Sequence, residues 1–160
     1  MNMREYRPED LETVMTLANE AWKPIRQMSN AALGEKIVKL LNPNGTDNTK
    51  GLQVKEQIDS GKYGIAICEH ADKIVGFITW QINGITGVIC NNAALPGSGL
   101  KGIGQMMYKY VLDLFRSQGV KVAQVVTGMD WAHAPARRAY ERAGFKNRID
   151  STTYFMALDD

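Results

Sequence analysis

The chain is poor in the residues that staple or metallate small proteins. Two cysteines, Cys68 and Cys90, and two histidines are all it has among 160 residues, too few for a disulfide framework or a Cys/His metal cage. Both cysteines lie in apolar stretches that read as strands, where a thiol acts as a small buried hydrophobe, so no metal site is expected. No run of about 18 apolar residues occurs, and the start Met1-Asn2-Met3-Arg4-Glu5-Tyr6 lacks a basic block followed by an apolar one. Neither a membrane partner nor a signal peptide is expected, and the predicted location is the cytoplasm. Charge of one sign is scarce as well: 19 Lys and Arg against 17 Asp and Glu leave a net charge of +2. No basic stripe alternates with aromatics, so nucleic acid is not an expected partner.

What is present is 44% apolar residues, enough for one compact domain over residues 1–160. Their period predicts the elements. A strand at Met3 to Arg7 leads into a helix opened by Pro8, with Glu9 and Asp10 in its first turn and Leu11, Val14, Met15, Ala18 and Trp22 on one face. A second helix spans Asn30 to Leu41, its buried face made of Leu33, Ile37, Leu40 and Leu41, and a flexible loop runs from Asn42 to Gly51 before a short helix from Leu52 to Ser60. Strands follow at Tyr63 to Cys68, Ile74 to Ile82 and Ile85 to Leu95, joined by turns at Glu69 to Lys73 and Asn83-Gly84. Then come the longest amphipathic helix (Ile103, Met106, Met107, Tyr110, Val111, Leu114, Phe115), a buried strand at Val120 to Thr127 and a helix from Pro135 to Ala143 ended by Gly144. Strands at Phe145 to Ile149 and Thr152 to Leu158 close the chain. The short helix aside, the order β-α-α-β-β-β-α-β-α-β-β is that of a layered α/β (α+β) fold with helices against a mixed sheet.

The segment Leu95-Pro96-Gly97-Ser98-Gly99-Leu100-Lys101-Gly102-Ile103-Gly104 sits between a strand and the best helix. Glycines there let a ligand approach the backbone, and free N–H groups at a helix start grip an anion such as phosphate. Gly97, Gly99 and Gly102 spell the GxGxxG of dinucleotide-binding domains. That reading lacks an acidic residue about 20 positions on, and the 58 residues after Gly102 are too few for the remaining βα units. A phosphate-binding loop of the GxxxxGK(S/T) type is absent.

These residues resemble the GNAT superfamily of acyl-CoA-dependent N-acetyltransferases, whose signature Gln/Arg-x-x-Gly-x-Gly/Ala is matched by Gly99-Leu-Lys-Gly102-Ile-Gly104, with Gly99 in place of Arg or Gln. A second segment, His133-Ala-Pro-Ala-Arg-Arg-Ala-Tyr140-Glu-Arg-Ala-Gly-Phe145, is similar to the family's Asn-x-x-Ala-x-x-x-Tyr-x-x-x-Gly-Phe, with His133 in place of Asn. The resemblance implies a mostly antiparallel central sheet, acetyl-CoA as cofactor and a primary amine, small-molecule or peptide, as acceptor. It leaves a homodimer open.

Acetyl transfer needs an oriented thioester, a donor for the developing oxyanion and a proton for the sulfur. Asn91-Asn92 inside a strand predicts a bulge that frees backbone groups. On the resemblance, Asn92, Ala93, Ala94 and Leu95 then contact the cofactor's arm, a backbone N–H near Ala93 or Ala94 faces the oxyanion, and Gly99, Leu100, Lys101, Gly102, Ile103 and Gly104 cradle its diphosphate, with His133, Ala136 and Tyr140 lining the other side. Tyr140, flanked by Ala136, Ala139 and Ala143, is the expected general acid. Asp130 and His133 are the candidate bases, His133 alternatively serving to cap its helix or orient Tyr140. Arg137 and Arg138 are further phosphate candidates. An acceptor pocket is expected between the first two helices and the last hairpin, with Trp22, Trp131 and Tyr154 as walls. A catalytically silent acyl-CoA sensor and an NAD(P)-binding oxidoreductase are the competing readings.

Overall fold

The computed structural model describes residues 1–158. Among them five strands make one sheet in the order β1-β2-β3-β4-β5: Asn2–Glu5, Gly64–His70, Lys73–Asn83, Thr86–Ala94 and Val122–Val125. Neighbours are antiparallel except β4 and β5. That pair is parallel because helix α4 (Ile103–Ser117) carries the chain back along the sheet between them. The other helices are α1 (Leu11–Ala21), α2 (Lys23–Leu41), α3 (Thr49–Asp59) and α5 (Ala134–Ala143). This mixed, mostly antiparallel sheet flanked by helices is the predicted fold class.

Local chemistry sets the hairpins. Ala71 and Asp72 form the β2–β3 loop with φ of 48° and 58°, and Gly84 opens the β3–β4 loop at φ 60°, the positive values that two-residue hairpin loops require. The helical stripes then cover both sheet faces. Val14, Leu17 and Ala18 of α1 and Val54 of α3 meet Ile67, Phe77 and Ala93 on one face. Ile103, Met107, Tyr108, Val111 and Phe115 of α4 and Tyr140 of α5 meet Ala66, Cys68, Val75, Ile78 and Ile89 on the other. Each large buried side chain in these layers contributes roughly 1.5–3 kcal/mol. Gly76 lets α4 seat closely: a Cβ there would lie 2.8 Å from Ile103 Cγ2 and 2.9 Å from the Ala93 carbonyl oxygen. Cys68 is a buried core thiol and Cys90 a half-buried one, both free.

Four expectations give way to tertiary context. The strand predicted as buried over Val120 to Thr127 spans only Val122–Val125 at the sheet edge, with Val122 51% exposed. Helix α2 begins at Lys23 and kinks at Gly34, where φ is 77°. None of its residues is buried: Leu33 and Ile37 of the predicted stripe are half-buried, and Leu40 and Leu41 are each 55% exposed. Helix α3 starts at Thr49, so the loop before it shrinks to 42–48. The predicted strands Phe145 to Ile149 and Thr152 to Leu158 do not form: after Gly144 (φ 106°) no regular element follows, and Ile149 and Tyr154 are 99% and 90% exposed. Phe145 alone is anchored, its N–H bonded to the Tyr140 carbonyl and its ring edge-on to Tyr140. Strand propensity is realised only where a neighbouring strand takes the hydrogen bonds and a face is buried, and residues 146–158 have neither.

The N-terminus is clamped by charge. Arg4 donates to both oxygens of Asp10, at 2.7 and 2.9 Å, and from Nε to Glu69 at 2.6 Å, while the Arg7 N–H adds a 2.8 Å bond to Asp10. The Arg4 hydrogen bonds hold the Asp10 carboxyl below the usual carboxylate range, against the opposing effect of burial. A depressed value means the clamp is fully present above the unfolded pKa of about 3.9 and is lost as pH falls through the folded one. Asp10→Asn should therefore cost about 2 kcal/mol at neutral pH and lower Tm by roughly 4–8 °C. The gap from wild type should close on acidification below about pH 4, measured by thermal melts across pH.

Candidate active site

The turn before α4 is built for close backbone approach. Leu95 closes β4 with its N–H on the Val75 carbonyl at 2.8 Å. The chain then passes through Gly97, Gly99 and Gly102 at φ 70°, 71° and 84°, values that cost other residues about 1–2 kcal/mol. A Cβ built on Gly102 meets nothing within 4 Å, so the space over the backbone is open. The α4 ladder begins with the Met106 N–H on the Gly102 carbonyl at 3.0 Å. The amides of Ile103, Gly104 and Gln105 thus precede any intrahelical acceptor and form the positive end of the helix dipole. That donor set fits a diphosphate. Lys101 and Gly102 are exposed beside it, Leu100 is half-buried, and Ile103 puts its side chain into the core, leaving only its amide for a ligand.

The second feature is a parting of strands. β4 and β5 pair from Thr86↔Val122 to Ile89↔Val125 and no further, although β4 continues to Ala94. Opposite β3 the register passes from Ile78↔Asn92 to Trp80↔Ile89, so β4 carries one extra residue at Cys90–Asn91. This is the bulge expected from the paired asparagines. The Asn91 N–H turns to Thr79 Oγ1 at 2.9 Å, and the Asn91 side chain reaches Gln57 Oε1 of α3 at 2.5 Å. Past Ile89 the β5-facing edge of β4 is left for another partner. Just beyond β5, Thr127 Oγ1 is out of solvent with no hydrogen-bond partner, an orphan that an amide-bearing arm lying in the parting would satisfy. Of the other predicted contacts here, Ala93 is buried in the α1-side core and Ala94 is exposed.

Tyr140 closes the site from α5. It is 7% exposed, 5.2 Å from the Tyr108 ring, and flanked by half-buried Ala136 and Ala139. Asn92 Nδ2 donates to Tyr140 Oη at 3.0 Å, and Tyr108 Oη donates to Asn92 Oδ1 at 2.8 Å. Burial pushes the Tyr140 phenol up, with the hydrogen bond from Asn92 working the other way. Tyr108 is pushed up as well, chiefly by burial. Gln105 Nε2 on the Ala139 carbonyl at 3.0 Å joins the glycine turn's helix to the helix of Tyr140.

Asp130 and His133 come together, Oδ2 to Nδ1 at 2.7 Å, with the His133 N–H on Asp130 Oδ1 at 3.1 Å. Burial raises the Asp130 carboxyl, but these His133 contacts outweigh it and leave it below its ordinary value. Gly128 makes the pair possible, since a Cβ there would lie 2.4 Å from Asp130 Oδ2. His133 does not hold the Tyr140 hydroxyl, which is bonded to Asn92; two helical turns, about 10 Å of rise, separate them. Arg137 donates to the Gly128 and Asp130 carbonyls at 2.6 and 2.7 Å and so braces this loop.

The predicted acceptor walls are scattered. Trp131 is 68% exposed and Tyr154 stands in the tail that forms no hairpin. Trp22 packs under Lys50, whose ammonium lies 4.3 Å from the ring and is pushed down to about 8 by burial. A separate open groove of about 720 Å³ runs along α1, lined by Arg4, Glu12, Glu20, Asp72 and Lys73 and reaching Leu95. Among the described residues no three His, Cys, Asp or Glu side chains gather as metal ligands, and no helix is long and apolar enough to cross a membrane. The Asn92 side chain, Tyr108 and Thr127 join the site without having been predicted, and Gln105, the last residue of the predicted cofactor stretch, enters through its side chain. Tyr108 was legible at helical spacing from Val111 and Phe115.

The single parallel strand pair rules out the doubly wound parallel sheet that a dinucleotide GxGxxG requires. Similar solved structures share the fold. PaiA N-acetyltransferase of Thermoplasma acidophilum, solved with coenzyme A, aligns over 94% of this chain and 92% of its own at 18% identity and TM-score 0.69. The Bacillus halodurans BH1408 protein, as a tetramutant, aligns over 98% and 100% at 12% identity and TM-score 0.74. An aminoglycoside acetyltransferase from an uncultured soil metagenomic sample, solved with sisomicin, aligns over 99% and 96% at 12% identity and TM-score 0.63. No curated protein matches the sequence significantly. The profile of the acetyltransferase (GNAT) family, however, matches residues 26–145, from α2 through the glycine turn to the Phe145 that packs on Tyr140. With most of its length so matched, the chain belongs to the GNAT acetyltransferase family, whose acyl donor is acetyl-CoA.

Proposed function

We propose that this protein, acting as one domain, is an N-acetyltransferase that moves the acetyl group of acetyl-CoA to a primary amine by direct attack. The observation that carries this reading is the buried Tyr140 hydroxyl, which accepts from Asn92 at 3.0 Å on the strand that parts from β5. Acetyl-CoA, when bound, supplies an activated thioester. The amides from Lys101 to Gly104 hold the diphosphate, and the main chain from Asn92 to Leu95, with the Thr127 hydroxyl, takes the arm. A backbone N–H at Ala93 or Ala94 serves the developing oxyanion, worth several kcal/mol when preorganised. Tyr140 Oη holds the proton destined for the sulfur: burial keeps that phenol protonated at neutral pH.

Asp130 and His133 make a base of familiar chemistry. With Nδ1–H directed to the Asp130 carboxylate, the imidazole presents a bare Nε2. An ammonium acceptor must lose a proton before attack.

Acetyl-CoA should raise Tm in a thermal-shift assay, and NAD(P) should leave it unmoved; the opposite pattern would reverse the assignment. Tyr140→Phe should lower kcat about 10²-fold or more with little change in acetyl-CoA affinity, read by thiol release against an amine and peptide panel. Full turnover in that variant would remove Tyr140 from the chemistry. No thiol release with any amine would favour a silent acyl-CoA sensor.

A further inference from the structure

The orientation of one amide decides what the Tyr140 proton is free to do. An amide oxygen only accepts hydrogen bonds and an amide nitrogen only donates them. Tyr108 Oη lies 2.8 Å from Asn92 Oδ1, so Tyr108 commits its proton to that bond. Asn92 Nδ2 lies 3.0 Å from Tyr140 Oη, so Tyr140 is the acceptor of the second bond and its own proton is not used by Asn92. With the amide turned over, both bonds would reverse and the Tyr140 proton would be tied to Asn92.

The surroundings hold these three side chains in place. Tyr108 is buried in the core with Met107 and Val111, and its ring lies against Gly104, where a Cβ would already be in contact at 3.4 Å. Asn92 sits immediately past the Cys90–Asn91 bulge, on the stretch of β4 that has left β5. Its neighbour Asn91 is anchored on the opposite face by Gln57, which fixes the backbone from which the Asn92 side chain projects.

We propose that Asn92, oriented by Tyr108, is a positioning residue that reserves the Tyr140 proton for the departing sulfur and then donates to the phenolate oxygen left behind. The inference rests on Tyr140 being the general acid. At that step the Tyr140 O–H bond breaks, an S–H bond forms, and the electron pair stays on Oη, where the Asn92 N–H meets it. A buried phenolate without such a donor would carry its full desolvation cost. The direction of the Tyr140 shift agrees: the Asn92 donor offsets part of what burial does.

The test combines Asn92→Leu, Asn92→Asp and Tyr108→Phe with and without Tyr140→Phe. Asn92→Leu should lower kcat about five- to tenfold while leaving the acetyl-CoA Kd near wild type, and should cost nothing further in the Tyr140→Phe background. Asn92→Asp keeps the size but, as a carboxylate, accepts from both phenols, and should lose at least as much kcat as Asn92→Leu. Tyr108→Phe removes only an oxygen and should reproduce the direction of the loss. In the ligand-free protein the Tyr140 Cζ resonance, identified by its disappearance in Tyr140→Phe, should move in Asn92→Leu and in Tyr108→Phe. An equal Asn92→Leu loss with and without the Tyr140 hydroxyl, or an unmoved Cζ resonance, overturns the inference alone. Full turnover in Tyr140→Phe overturns the general-acid reading and this inference with it.

Discussion

The site depends on β4 failing to stay paired with β5. Two parallel strands in register would close their shared edge with backbone hydrogen bonds and leave no room for a ligand. Here the extra residue at Cys90–Asn91 re-aims β4 just as its pairing with Val125 ends, as bulges do beside active sites. The freed edge and the glycine turn that follows it at Pro96 lie on one continuous stretch of chain. A ligand with both an amide-bearing arm and a diphosphate can therefore follow a single segment of backbone.

The bulge needs polar support on both faces of the sheet, and two adjacent asparagines provide it. Asn91 points to α3, where Gln57 accepts its amide and Thr79 takes its N–H. Asn92 points the other way, between Tyr108 of α4 and Tyr140 of α5. Alternation along a strand makes this opposition automatic. Leaving any one of these buried groups without its partner would cost about 1–3 kcal/mol, so the irregular strand is fixed in one conformation. Gln105 and Arg137 extend the same logic, binding α4 to α5 and α5 to its leading loop.

Much of this was legible in the residues. Glycines between a strand and an amphipathic helix mark an anion cradle, because φ near 70–84° at Gly97, Gly99 and Gly102 is backbone chemistry that only glycine meets cheaply. The adjacent asparagines announced the bulge for the same local reason: Asn fits a regular strand poorly. Tyr140 stood out through its small helical neighbours and the Gly144-Phe145 stop. The failures share a cause. The stripe on α2 and the apolar run from Tyr154 to Leu158 look like buried elements, yet an apolar pattern alone does not supply a surface to lie against.

By itself, the sequence determined the backbone: where helices and strands could form, where glycine had to turn the chain, and where β4 had to break step. Those are short-range consequences of side-chain size and dihedral preference. Only the tertiary structure decided who meets whom. Asn92 and Tyr140 lie 48 residues apart, and Asn91 and Gln57 34. The direction of each hydrogen bond between them follows from how α3, α4 and α5 seat on the sheet. Seating is a collective result of packing two apolar layers, and no local pattern encodes which oxygen will accept and which will keep its proton.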